Sequence, residues 1–385
     1  MKILRMFFPG TFEDAQVYMG HLALFTADRD VRFVELQRLA SRLELRHPAW
    51  RGVMTMAFAR NDWLRGQVVE ALTNNRQIAS TLNDALTDVA DTELVVDADA
   101  IETEGLGRFT PDADLILDTA FYGSRLYLAT NDGLFDYDID WQLLRVDRSR
   151  KRLDARCVSA NAEYGAVNAS CESDGLFTGY DEFGWRGHAT NVDGAALVQT
   201  APKSVRTSWL GTDLVNYEGP AEPELLVASV EEVERDEGTT YRTKVVTHFS
   251  TPTDNLAPLV ADLKTQRGIS RSSVQFVWNS SRAFFINTYD KGFFSAAPTA
   301  KPGKSYNFTR HGTTDGRIVG VHRSGVGWIL ETDFRVYALS GGTLVELLDE
   351  EPLSVRTFEG SKRFRNLIAV TVENGVHLIS VLRPF

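Results

Sequence analysis

LYLATNDGLFDY, residues 126–137, sets an apolar run on either side of Asn131-Asp132-Gly133. That trio suits a tight chain reversal, because Gly takes positive φ at no steric cost and Asn and Asp bond their own backbone. Run, turn and second run make the pattern of an antiparallel β-hairpin. The same unit recurs as LALFTADRDVRFVEL (22–36), NASCESDGLFTGY (168–180), AFFINTYDKGFFSA (283–296), GWILETDFRVYAL (327–339) and LIAVTVENGVHLISV (367–381). Asp28, Asp132, Asp174, Asp290, Asp333 and Glu373 take the equivalent place in these turns.

Upstream of each hairpin stands another strand-like run: 14–20, 115–123, 155–165, 272–279, 316–323 and 353–360. A less regular set spans 204–219, with 223–249 as outer strands around Asp236-Glu237-Gly238. Units of four strands recurring at about 40 residues are the blades of a β-propeller. The pattern resembles the β-propeller superfamily over essentially the whole chain. It has neither the Trp-Asp and Gly-His pairs nor the repeated Gly-Gly that mark particular propeller families. The expectation is an all-β fold: one β-propeller domain over 1–385 with four-stranded antiparallel blades, seven favoured and eight possible.

The count turns on one segment. Residues 52–59 and 62–72 read as a strand pair, which would add a blade. Yet Leu64, Val68, Leu72, Ile78, Leu82, Leu86 and Val89 recur at helical spacing, which makes 60–110 a partly helical insertion. Residues 220–268 read as a second insertion, an extended hairpin plus a short helix over 254–266 capped by Asp254. Residues 3–8 read as a strand that becomes the outer strand of the last blade and closes the ring, which leaves no open edge. The resemblance further implies binding at the ends of a central channel, without saying what is bound.

A formal net charge of −11 argues against a nucleic-acid binder held by phosphate contacts. It suits a partner with a basic surface. The apolar run at 3–8 is short and broken by Arg5, and no run approaches the roughly 20 residues of a membrane span. The reading is an acidic, soluble cytoplasmic protein. Cys157 and Cys171 face each other if their hairpin is centred near Tyr164, so a bridge is sterically possible. In that compartment two small buried reduced thiols are the plainer reading.

No zinc-binding cysteine or histidine spacing and no nucleophile-elbow motif occurs, and the histidines are scattered. A non-enzyme is favoured. Asp136, Asp138 and Asp140 alternate along one strand and share a face. A hard cation such as Ca2+ would relieve their repulsion, but Trp141 stands where a calcium loop needs glycine and Asp147 where it needs glutamate. Pairing with Arg145, Arg148 and Arg150 is the alternative. The turn acids would form an acidic collar on one face, able to attract a basic partner. Arg125, Arg206, Arg282 and Arg365, which precede second strands, would lie toward the opposite face. The expected function is a protein–protein interaction scaffold. The alternative is an enzyme or small-ligand sensor, of hydrolase or lyase type and metal-assisted or not, at the mouth of the channel. Trp63 and Tyr241, in the insertions, are the expected partner anchors.

Overall fold

The computed structural model describes residues 2–90, 92, 94–96, 105–113, 115–180, 197–236, 240–251, 256–280, 282–289, 292–299, 305–312 and 314–382. The chain divides into two compact units, one of residues 1–111, 141–145 and 314–385 and the other of 112–140 and 146–313.

In the first unit three antiparallel sheets form. Sheet I runs Phe12–Tyr18, His21–Thr26, Val31–Glu35, Gly105–Phe109. Sheet VI runs Ile318–Ser324, Gly327–Thr332, Val336–Ser340, Thr343–Leu348. Sheet VII runs Ser354–Thr357, Leu367–Val372, Gly375–Leu382 and is completed by the N-terminal strand Lys2–Pro9. That strand pairs antiparallel from Lys2 against Leu382 to Pro9 against Gly375. The expected closing strand is therefore present. It is not outermost, because Leu94–Val95 adds to it in parallel at Met6 and Phe7.

In the second unit, sheet II runs Ile116–Tyr122, Arg125–Thr130, Leu134–Asp140, Arg145–Leu153. Sheet III runs Ser159–Glu163, Ala166–Ser170, Leu176–Tyr180, Val198–Ala201. Sheet IV has Arg206–Leu210, Asp213–Tyr217 and Pro223–Leu226, and sheet V has Val274–Ser280, Ala283–Thr288, Gly292–Pro298 and Tyr306–Arg310. Each of the hairpins read from the sequence forms as the second and third strands of its own sheet.

Strands buried on both faces carry the core. Leu367–Val372 and Gly375–Leu382 are buried at every position, which is why they read as continuous apolar runs rather than alternating ones. Ile329, Val336 and Ala338 of sheet VI pack there against Val355, Ile368 and Ile379 of sheet VII.

Residues 36–90 are helical. Helix α1 is Leu36–Arg46, α2 is Gly66–Asn74 and α3 is Arg76–Ala90. The strand expected over 52–59 is instead a turn of π-helix at Thr55–Ala59. Met54, Met56 and Phe58 alternate as in a strand, but Thr55, Ala57 and Ala59 next to them are buried too. A surface apolar on all sides has no outer strand face, and the segment packs with Leu4, Leu24 and Leu378. α2 and α3 break at Asn75, whose side chain accepts from the N–H groups of Gln77 and Ile78 at 3.2 Å each, satisfying donors at the new helix start.

Residues 228–249 do not supply outer strands to sheet IV. They form their own hairpin, Ala228–Asp236 with Thr240–Phe249, whose turn at 237–239 lies outside the described residues. Its base is anchored by Val246 and Phe249, which pack with Ala166, Leu176, Leu214 and Leu226. Helix α4, Ala257–Arg267, starts later than expected and carries no side-chain cap; Asp254 lies outside the described residues. It stops at Gly268, whose φ of +65° places it in the left-handed region. No helix among the described residues is long and apolar enough to cross a membrane.

Candidate interaction surface at the acid-bearing turns

The turn between second and third strands is built the same way in several sheets. A buried threonine ends the second strand and its hydroxyl closes the turn. Thr130 donates to the Gly133 carbonyl at 2.9 Å and accepts from the N–H groups of Asp132 and Gly133 at 3.1 and 3.0 Å. Thr332 donates to the Arg335 carbonyl and accepts from the Arg335 N–H, both at 2.9 Å. Thr26 does the same with Asp30 at 3.2 and 3.0 Å, and Thr288 donates to the Gly292 carbonyl at 2.8 Å. Gly133 sits at φ +151°, and a Cβ there would meet the Leu153 carbonyl oxygen. The threonine was readable in LAT, LFT, INT and LET, but the acids alone drew attention.

This closure presents Asp28 and Asp132, while Asp174 and Glu373 stand exposed in the equivalent turns of sheets III and VII, and the four carboxylates have no partner among the described residues. Asp333 is half-buried and its carboxylate accepts from the Arg317 N–H at 2.8 Å, so it serves the turn. Asp290 lies outside the described residues. Asp28, Asp333 and Glu373 belong to the first unit, and Asp132 and Asp174 to the second.

Asp136 is buried and surrounded by guanidinium groups. Arg150 reaches it at 3.0 and 3.2 Å, Arg125 at 3.3 Å and Arg152 at 3.7 Å. Asp138 lies 3.8 Å from Arg125, and Asp140 is half-buried. A cation at Asp136 would have to displace this arginine cluster. Of the arginines named for pairing, Arg150 takes part, joined by Arg125 and Arg152. Among the described residues, no three His, Cys, Asp or Glu side chains are placed to share a metal ion.

Other acids that sequence reading missed sit in the first strands. Asp14 and Asp118 occupy equivalent β-bulges, where the pairing register shifts. Asp14 accepts from the Ala15 N–H at 2.9 Å, the Ser354 hydroxyl at 2.6 Å and Arg356 at 2.7 and 3.0 Å, tying sheet I to sheet VII. Asp118 accepts from the Thr119 N–H, the Ser159 hydroxyl and the Ala160 N–H, tying sheet II to sheet III. An acid two residues into an otherwise strand-like repeat start is the signal that could have found both. Asp30 is also buried. The Thr110 hydroxyl foremost, then Arg108, holds its carboxyl below the ordinary value against the opposing effect of burial.

The expected basic set divides. Arg125 is committed to Asp136 and Asp138. Arg206 starts the first strand of sheet IV rather than preceding a second strand. Its guanidinium donates to the Val277 carbonyl and lies 4.2 Å from the centre of the Tyr217 ring, and burial lowers its pKa. Arg282 is exposed in a first-to-second-strand turn and Arg365 is half-buried. Trp63 is half-buried, packed on the core under the Arg60 guanidinium 4.9 Å above its ring, so it is not a free anchor. The Tyr241 side chain lies outside the described residues. Cys157 and Cys171 are buried free thiols with sulfurs 3.0 Å apart, and their hairpin turns at Tyr164-Gly165.

These repeated meanders, sheet against sheet, are blades, and the protein is a β-propeller. The β-propeller domain of Cps50 (Swd1) from Myceliophteria thermophila superposes on it with a TM-score of 0.51, covering 97% of each chain at 11% identity. The N-terminal domain of Nup159 matches over 99% of this chain and 96% of its own, with 9% identity and a TM-score of 0.46. The designed protein Ika8 matches over 96% and 83%, with 9% identity and a TM-score of 0.47. At such identities the likeness speaks for the fold alone. No protein-family model matches the chain, and no curated protein matches it in sequence.

Proposed function

We propose that this protein is a non-catalytic interaction scaffold, a soluble propeller subunit of a multi-protein assembly in the cytoplasm. The observation that carries this reading is the repeated turn. A threonine-closed loop holds an unpaired, exposed carboxylate in sheets I and II, Asp28 and Asp132, and Asp174 and Glu373 stand exposed in the equivalent turns of sheets III and VII. Fixed single-sign charges steer a partner of opposite sign and set its orientation, while contributing less to raw affinity. The partner is therefore a protein with a basic surface. Nucleic acid is disfavoured by the net charge of −11. Specific contact area would come from the hairpin at 228–249, where Val230 and Val233 stand exposed. No cofactor belongs to this reading.

The test is affinity purification of the tagged protein from its own cells beside three variants. Asp28→Lys with Glu373→Lys addresses the first unit, Asp132→Lys with Asp174→Lys the second, and Val230→Asp with Val233→Asp the hairpin. A stoichiometric partner lost in one charge-reversed variant supports the reading and locates the site. A partner lost only in the hairpin variant moves the site there. A partner kept by all three, or none at all, sinks it.

A further inference from the structure

The buried threonine that closes the turns of sheets I, II, V and VI is replaced in sheet III by a thiol. Thr26, Thr130, Thr288 and Thr332 end the second strands of the four sheets. Cys171 stands in that place in sheet III. Its N–H donates to the Gly175 carbonyl and its carbonyl accepts from the Asp174 N–H, both at 2.9 Å. Thr26 makes the same backbone pair with Asp30 and Arg29. The side chains then differ. The threonine hydroxyls turn back to close their loops, whereas the Cys171 sulfur lies 3.0 Å from that of Cys157. The chain has two cysteines in 385 residues, and both are here.

The pair sits beneath two acid-bearing turns of the second unit. The Cys157 N–H donates at 2.9 Å to the carbonyl of Thr130, the residue that closes the Asp132 turn. Cys171 leads into the Asp174 turn. The residues beside the cysteines are also joined: Arg156 pairs with Glu172 and donates to the Asn131 side chain at 3.1 Å. Both thiols are buried. An approach of about 1 Å would bring the sulfurs to the length of a disulfide bond, about 2.05 Å. The hydrogen bond with Cys171 foremost, then burial, pushes the Cys157 thiol above its ordinary value. The thiolate is the reactive form, so the pair rests as thiols and reacts slowly.

We propose that Cys157 and Cys171 are a site of reversible oxidation, whose disulfide stiffens the turns that carry Asp132 and Asp174. The oxidant is hydrogen peroxide, small enough to enter on local opening. One thiol takes an oxygen atom from the peroxide to become a sulfenic acid, and water leaves. The other sulfur attacks it, the S–S bond forms, and the sulfenic oxygen leaves with the second thiol's proton as another water. Two thiols are oxidised and one peroxide is reduced. A small thiol restores both by exchange. A transient, redox-sensing bridge is the kind that cytoplasmic proteins carry. The site does not rest on the interaction reading, although it acts on turns that belong to it.

The test treats the purified full chain with a small excess of hydrogen peroxide and removes the excess with catalase. The chain is then unfolded, its remaining thiols are labelled with a maleimide, and non-reducing digestion with mass spectrometry identifies linked peptides. The expected result is joint loss of both thiols and one internal link between Cys157 and Cys171, lighter by two hydrogens. The chain stays a monomer on a non-reducing gel, and dithiothreitol returns both thiols. Amide exchange at 131–133 and 172–175 should slow several-fold in the oxidised form and recover on reduction. Cys171→Thr, the residue the other turns carry, and Cys157→Ser should each abolish the effect of peroxide on exchange, with folding checked by circular dichroism. Thiols that stay reduced in the folded chain and react only after unfolding overturn the proposal. So do sulfinic acid or linked dimers in place of the internal bridge, and a bridge that leaves exchange at both turns unchanged.

Discussion

Single hydroxyls and imidazoles hold more of this molecule than its charge pattern suggests. Thr130 is fully buried and makes its turn-closing bonds through one oxygen. Valine keeps its shape but removes the hydroxyl acceptor of the Asp132 and Gly133 N–H groups, leaving Gly133 only its 3.3 Å bond to the residue 130 carbonyl. Thr130→Val should therefore cost about 1–3 kcal/mol in urea unfolding, and Thr332→Val a similar amount. Protonation acts through two histidines. Burial pushes His21 below the ordinary imidazole value, against the raising effect of Glu35, and burial alone does so for His311. On acidification the unfolded chain takes up the proton first. The stability these residues contribute is whole above about pH 6.5 and is lost as pH falls through their lowered folded-state values. The thermal midpoint should fall on acidification below about pH 6.5, and His21→Gln with His311→Gln should flatten that slope. An unchanged slope in the double variant would place the acid sensitivity elsewhere. Of these residues the turn acids were legible in the sequence. Asp14, Asp30 and Asp118 were not, because their partners Arg356, Thr110 and Ser159 come from segments distant in sequence.

At the scale of the element, hairpins were readable because turn chemistry and strand alternation are local. Insertions were less so. Residues 52–59 alternate like a strand yet coil, since their surroundings bury every side chain. Among the described residues the hairpin at 228–249 joins no larger sheet, and its sequence does not say whether its edges are paired. Its two ends should differ in consequence. Phe249→Ala removes a ring that is almost fully buried in the core and should cost about 3–5 kcal/mol. Val230→Ser and Val233→Ser, on its exposed part, should change stability by about 0.5 kcal/mol or less. Denaturant titration of each variant distinguishes the anchored base from the free ribbon. A large loss at the valines would mean that this part is packed.

For the whole molecule the telling pair is Lys2 with Leu382. Sheet VII gains its fourth strand only when Lys2–Pro9 meets Gly375–Leu382, and contacts this distant in sequence form slowly because loop closure comes first. Deleting residues 2–9 should lower the unfolding midpoint and expose the Gly375–Leu382 edge, seen as faster amide exchange there. Met6→Ala, which leaves that edge paired, should cost about 2–5 kcal/mol without the same local exchange. If the deletion left exchange in Gly375–Leu382 unchanged, the N-terminal strand would not be what completes the sheet. The chain's own letters settled the repeating hairpins, the closing strand and the acids of the turns, because each depends on neighbours a few residues away or on a simple alternation. The arginine cluster around Asp136 and the bulge acids that tie sheet to sheet were decided only by tertiary structure. Each is a meeting of side chains from separate strands, and which strands meet follows from packing, not from spacing.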